Sequence, residues 1–288
     1  MPMEEHLQRI IECHKREAED EYYRKVGDDP VYDKITWSNI EPFLPKKGWI
    51  LDAGGGAGVL SLKMAERKKC FILLLDITPD LLTTAKKKIK DTLLTGRIEV
   101  LDADIRAIPH PEMSFDFVLC EADPICICGD PEKAVSELSR VLKPNSYLVA
   151  GVDSTLYRVF RALSQGKSLD YVLKFLQTGV APAEEGALGA LFESKSFTPT
   201  ELITLLKKYD LETVKIVGKP LGFGPDMLDS FVLTLPAEKR ERIFEDTTEK
   251  AKLAKILHKI YDEPYIAGIG GHLHIVAVKK TGSSHARA

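Results

Sequence analysis

The segment Trp49-Ile50-Leu51-Asp52-Ala53-Gly54-Gly55-Gly56-Ala57-Gly58-Val59-Leu60 constrains this chain more than any other. An apolar run ends in an aspartate, four glycines follow within five positions, and apolar residues then recur at Leu60, Leu62, Met64 and Ala65. Glycines at a strand-to-helix turn admit positive φ and let a ligand approach the backbone closely. Four of them are costly for a turn that binds nothing, since each gives up roughly 0.5–1 kcal/mol relative to alanine in regular structure. The spacing also narrows the ligand. A dinucleotide fingerprint needs glycines at i, i+2 and i+5, but that third position falls on Val59 from Gly54 and on Ser61 from Gly56.

The turn opens a regular alternation. Apolar runs at Trp49–Ala53, Phe71–Leu75, Ile98–Leu101, Phe115–Cys120 and Tyr147–Val152 are separated by helical patterns, which predicts βαβ units around a parallel sheet. Thr78-Pro79, Asp130-Pro131 and the capping box Thr198-Pro199-Thr200-Glu201 mark helix starts. Two last strands are expected at 211–218 and 272–280, with a charged helix from Ala237 to Tyr261 between them. Before the turn, residues 3–26 read as an amphipathic helix with Leu7, Ile10, Ile11 and His14 in helical register, and Trp37 to Leu44 as a second. Segment 154–179 breaks the rhythm with two helices. The expected organisation is an N-terminal helical lid over 1–47, a sheet domain over 48–280 with a helical cap inserted at about 154–197, and a disordered tail over 281–288.

Composition bounds the environment. The 288 residues carry 40 basic and 43 acidic side chains, a formal net charge of −3, which disfavours a dedicated nucleic-acid binder. No run reaches 18 apolar residues, and no secretory signal is evident at the N-terminus, so membrane insertion is not expected. Five irregularly spaced cysteines suit a reducing cytoplasm, the expected location.

Further acids fall where strands end. Asp76 closes its strand 22 residues after Gly54, where a carboxylate can accept ribose hydroxyls. Asp104 stands in Leu101-Asp102-Ala103-Asp104-Ile105-Arg106-Ala107-Ile108-Pro109, ahead of Ser114-Phe115-Asp116-Phe117-Val118. A fourth block, Arg140-Val141-Leu142-Lys143-Pro144-Asn145-Ser146, leads into the strand at Tyr147, and its Asn145 tolerates a left-handed turn.

Taken in order, Asp52/Gly54–Gly58, Asp76, Asp104 and Arg140–Pro144 resemble the motifs of class I S-adenosylmethionine-dependent methyltransferases. Asn145-Ser146 replaces the family's glycine pair. The resemblance implies a Rossmann-like α/β fold, a seven-stranded mostly parallel sheet with helices on both faces, and S-adenosylmethionine as cofactor. It places the cofactor against Asp52, Ala53, Gly54, Gly55, Gly56, Gly58, Asp76, Ile77 and Cys120. It gives the adenine amino group to Asp104 and a ring nitrogen to the amide of Ile105. Tyr32, in the lid, is a further candidate. Glu263-Pro264-Tyr265-Ile266, followed by Gly271-His272-Leu273-His274, is similar to the end of bacterial tRNA carboxymethoxyuridine methyl-ester-forming methyltransferases. The architecture is also similar to quinone-biosynthesis C-methyltransferases.

The acceptor side is less defined. Methyl transfer from a sulfonium is an in-line displacement in which the protein mainly positions the partners, and an oxygen or nitrogen acceptor also needs a base. Glu121, Asp123 and His272 are the candidates by position, near the carboxyl ends of the strands. Cys120, Cys126 and Cys128 cluster at the same turn, but Cys-x-Cys without a second pair is poor evidence for a metal, and none is expected. Cap aromatics Tyr157, Phe160, Tyr171, Phe175 and Phe192 either cover an apolar acceptor or pack as core. The expectation is methyl transfer to a small molecule or modified nucleoside. A tRNA wobble-uridine methyltransferase, a spermidine-synthase-like aminopropyl transferase using the acidic loop Glu121-Ala122-Asp123, a nicotinamide oxidoreductase lacking the third glycine, and a non-catalytic binding module remain as alternatives.

Overall fold

The computed structural model describes residues 2–19, 32–182, 192–219 and 267–281, together with scattered helical positions between 238 and 256. The strands are β1 (Lys47–Ala53), β2 (Lys69–Asp76), β3 (Ile98–Asp102), β4 (Phe115–Cys120), β5 (Leu142–Asp153), β6 (Val180–Pro182), β7 (Glu193–Lys195), β8 (Leu211–Lys219) and β9 (His272–Lys279). The helices are α1 (Met3–Glu19), α2 (Tyr32–Ile40), α3 (Val59–Arg67), α4 (Pro79–Lys90), α5 (Pro124–Ile127), α6 (Pro131–Val141), α7 (Thr155–Ser164), α8 (Leu169–Thr178) and α9 (Pro199–Lys208).

Seven strands form one sheet in the order β3-β2-β1-β4-β5-β9-β8. Pairing is parallel from β3 through β5, and β9 runs antiparallel to both its neighbours. This is the Rossmann-like class I methyltransferase fold that the motifs imply. The order reverses between β1 and β4, where the crevice outside the strand ends takes ligands in open α/β sheets.

Strand alternation feeds two cores. Leu51, Leu73, Leu75, Val118 and Leu148 point to one face and meet Leu138 of α6 and Leu202 and Leu206 of α9. Ile50, Ile72, Leu74, Phe117 and Leu119 point to the other and meet Met64 of α3, Leu82 and Ala85 of α4, and Trp37 and Ile40 of α2. Both faces are covered, which is why the central strands read as continuous apolar runs. Each fully buried leucine adds roughly 1.5–3 kcal/mol of transfer free energy.

Boundaries differ from expectation for local reasons. Helix α1 is described to Glu19 rather than 26, since 20–31 lie outside the described residues. Helix α2 begins at Tyr32, before Trp37, and Pro42 forces its end into a 3-10 turn, Glu41–Phe43. Strand β5 starts at Leu142, directly after Arg140 and Val141 end α6, and takes in Leu142–Ser146 through a register shift, with Asn145 left-handed at φ 61° as its side chain permits. Thr78 caps α4 by position alone, and its backbone N–H donates instead to Asp76 Oδ1 at 2.8 Å. Asp130 and Thr198 cap as expected, Thr198 with Glu201 in a full capping box. The β6–β7 hairpin beside α7 and α8 has no sequence signal, because three-residue strands are too short to show periodicity. Most of the expected helix Ala237–Tyr261, and the tail beyond 281, lie outside the described residues.

Candidate active site

The glycine turn is held from three sides. Gly54 and Gly55 N–H donate to Leu75 O at 2.7 and 3.1 Å, tying the turn to the end of β2. Gly54 has φ 77°, and a Cβ there would lie 2.3 Å from Pro124 Cγ, so only glycine lets the β1 and β4 loops meet. Gly56, at φ 51°, donates its N–H to Asp76 Oδ2 at 2.9 Å. Asp52 lies under the turn, 2% exposed, where its Oδ2 accepts from Ser61 Oγ of α3 at 2.6 Å. Burial drives the Asp52 carboxyl up to about 6; the Ser61 hydrogen bond opposes this, while the negative charges of Asp76 and Glu121 add to it.

Above the turn opens a cavity of about 560 Å³, in the size range of small-molecule sites. At one end it is lined by Gly54, Gly56, Asp76, Ile77, Asp104 and Ile105. At the other stand Asp123, Asp153, Tyr157, Arg158, Phe192, Ser194 and His272, while Leu7, Ile10 and His14 of α1 form a wall. Asp104 is tied to its own loop, accepting from Arg106 Nε at 3.0 Å and from the second guanidinium nitrogen at 2.6 Å.

At the far end, Ala122 and Asp123 are consecutive non-glycine residues with φ 63° and 66°. Left-handed backbone costs roughly 1–2 kcal/mol per residue, and here it turns the Asp123 side chain towards β9. Asp123 Oδ2 lies 3.0 Å from His272 Nε2, and Asp153 Oδ1 lies 3.6 Å from the same nitrogen. Asp153 Oδ2 pairs with Arg158 at 3.3 Å and accepts from Ser194 Oγ at 3.3 Å. Burial alone lowers the pKa of His272, but the charge and hydrogen bond of Asp123, with Asp153 behind, outweigh it and raise the imidazole above its ordinary value. Burial first, then the neighbouring Asp123 charge, raises Asp153. The two aspartates and His272 place one donor atom each within 4.8 Å of one another, close enough for a cation. Three donors are fewer than a closed site takes, and Arg158 already sits on Asp153.

A family model described as a methyltransferase domain matches residues 50–145, which span the turn, Asp76, Asp104, Asp123 and the Arg140 block. Residues 50–145 thus match a methyltransferase domain, and the seven-stranded sheet around them has the strand order of the class I fold. It is 26% identical over 203 residues to the ubiquinone/menaquinone biosynthesis C-methyltransferase UbiE of Vibrio cholerae, a match covering 69% of this chain and 65% of that protein. The Vibrio vulnificus protein of the same name is 30% identical over 104 residues, 35% of this chain and 39% of that one. The chain thus matches less than two thirds of the length of these curated relatives. Among solved structures, a SAM-dependent methyltransferase from Methanosarcina mazei has a TM-score of 0.55 at 20% identity, covering 84% of this chain and 96% of that one. Haemonchus contortus phosphoethanolamine N-methyltransferase 2, solved with S-adenosyl-L-methionine, has a TM-score of 0.53 at 18% identity, covering 86% and 52%.

Gly54, Gly56, Asp76, Ile77, Asp104, Ile105 and Asp123 of the matched segment converge with His272 on one cavity. Asp52, Ala53, Gly55, Gly58 and Cys120 do not line it; they support the turn or fill the core. Tyr32 begins α2, but its side chain lies outside those described.

Glu121 requires correction as a candidate base. It is 6% exposed and points into the α2 face of the sheet, ion-paired to the fully buried Lys219 and lying 2.9 Å from His274 Nε2. Lys219 also donates to Thr36 Oγ1 of α2 at 3.2 Å. Burial raises the Glu121 carboxyl, but Lys219 and then His274 overcome it and hold it well below the ordinary carboxylate range. Gly151 makes the space, since a Cβ there would lie 2.6 Å from Glu121 Oε2.

The cysteines are thiols rather than nucleophiles. Burial raises Cys120 and Cys126 far above their usual range and pushes Cys128, the one lining the cavity, up to about 12. Sequence reasoning missed Asp153 and Arg158. Asp153 follows the apolar run that ends at Val152, so the strand-end rule that selected Asp52 and Asp76 also selects it.

Proposed function

We propose that this protein transfers the methyl group of S-adenosylmethionine to a small-molecule or modified-nucleoside acceptor. One observation carries the reading: a single cavity joins the glycine turn, Asp76 and Asp104 to the Asp123–His272–Asp153 cluster. The glycine turn, whose Gly54 and Gly56 line the cavity, and the carboxylates of Asp76 and Asp104 fit the polar ends of the cofactor. When bound, the cofactor supplies a methyl group already activated on a sulfonium.

The chain's own residues then have three tasks. Asp76 accepts hydrogen bonds from vicinal hydroxyls, and the Ile105 backbone and Asp104 read the base edge. Neutral His272, oriented by Asp123, takes the proton of an O–H or N–H acceptor as the new bond forms, and Asp123 then stabilises the imidazolium. Leu7, Ile10, Tyr157 and Phe192 keep water from the reacting atoms, with α1 as a lid. The relatives named C-methyltransferases support an acidic carbon as a further acceptor atom. Aminopropyl transfer is not favoured, because Glu121 of the acidic loop is consumed by Lys219. Among the described residues no helix is long and apolar enough to cross a membrane, and all five cysteines are free, which supports the cytoplasm as the site of action.

The test is transfer of labelled methyl from S-adenosylmethionine into cell extract, separated into RNA, protein and small molecules. Label in the small-molecule or nucleoside fraction, lost with Asp123→Asn, is expected. Label in intact tRNA favours the wobble-uridine alternative, and label in protein alone overturns the reading.

A further inference from the structure

The cap has an apolar outer face that the methyltransferase reading does not use. Six of the large apolar residues exposed among the described residues fall within 21 positions: Phe160 at 52%, Leu163, Leu169 at 70%, Leu173 at 57%, Leu176 and Val180. In α8, Leu169, Leu173 and Leu176 recur at i, i+4 and i+7 and so share one face, while Val172 and Phe175 are buried. In α7, Phe160 and Leu163 are exposed, turned away from Arg158 and Arg161, which line the cavity with Tyr157. One side of the cap closes the site, and the other presents hydrocarbon to water. Scattered exposed leucines need no explanation, but clustered ones mark an interaction surface.

Charge selects the occupant. The exposed charges beside the leucines are Lys167 and Lys174 against the single acid Asp170, whereas Arg158 and Arg161 line the cavity and Arg158 is paired with Asp153. Leucine and phenylalanine flanked by lysine on short helices is the composition of elements that lie in the plane of an anionic membrane surface. A second copy of this chain is a poorer match, because a two-fold contact sets the patch against itself and brings like charges together.

We propose that the outer face of α7 and α8 docks on an anionic phospholipid surface without spanning it. The proposal stands apart from the methyl-transfer reading, and the two fail separately.

The test is co-sedimentation of the full chain with phosphatidylcholine vesicles, with and without phosphatidylglycerol. Binding to the anionic vesicles alone, weakened by salt, is expected. Lys167→Gln with Lys174→Gln should weaken it about thirtyfold, from about 1 kcal/mol per basic residue. Leu169→Ser with Leu173→Ser should weaken it by on the order of a hundredfold. These side chains are exposed, so thermal melting and S-adenosylhomocysteine binding should be unchanged. Three results overturn the proposal: no sedimentation with anionic vesicles, equal sedimentation of wild type and both variants, or a dimer by light scattering that the leucine changes dissolve.

Discussion

Two acid–histidine pairs lie two residues apart on the same elements, and they do different work. His274 meets Glu121, and His272 meets Asp123. The inner pair is sealed against α2 with Lys219; the outer pair lines the cavity with Asp153 and Arg158. In the inner pair burial lowers the histidine, whereas in the outer pair the two aspartates prevail and raise it. Residue type therefore does not decide role here. Position along the strand does: one step of two residues moves the same chemistry from core to cleft.

The largest expected effect breaks the inner pair. Glu121→Ala leaves Lys219 charged and buried without its partner, so stability should fall by about 3–5 kcal/mol in chemical denaturation. A loss below about 1 kcal/mol would show that Glu121 is not structural. The outer pair should show the opposite pattern. Asp123→Asn should lower kcat/KM by roughly 10²–10³, about 3–4 kcal/mol, while unfolding free energy changes by under about 1 kcal/mol.

Asp52 offers a third comparison, a buried acid that accepts from the Ser61 hydroxyl and lies near the negative charges of Asp76 and Glu121. Its folded pKa, about 6, is raised from 3.8, so its protonated form favours folding. That stability is complete below about pH 3.8 and lost as pH rises through about 6. Relative to Asp52→Asn, wild type should lose roughly 3 kcal/mol across this window. Parallel curves would contradict the assignment. The smallest effect concerns His272. Its raised pKa means the ion pair stabilises below the ordinary value of 6.5 and fades as pH rises through the folded value, by under about 1 kcal/mol. Activity should rise over the same interval, because the base must be neutral, and His272→Gln should remove that limb of the profile.

The cofactor end was legible in the sequence because its determinants are local. Gly54, Gly56 and Asp76 sit at ends of contiguous apolar runs, and backbone geometry demands those residue types. The far end was only half legible. Asp123 and His272 could be nominated from strand ends, but nothing local distinguishes them from Glu121 and His274, whose fate depends on Lys219 arriving from β8. Cys120 and Asp52 likewise follow the right motif yet face inward, because strand alternation gives a position and not a depth. Leu7 and Ile10 read as one face of a helix, and only packing shows that this face walls the cavity.

Calorimetric titration of the protein with S-adenosylhomocysteine, beside Asp76→Ala, tests the central claim most directly. The account predicts saturable one-to-one binding, weakened in the variant by about 1–3 kcal/mol, the cost of a lost hydrogen-bonding carboxylate. No binding up to roughly millimolar ligand, about −4 kcal/mol or weaker, or equal affinity in both proteins, would contradict it.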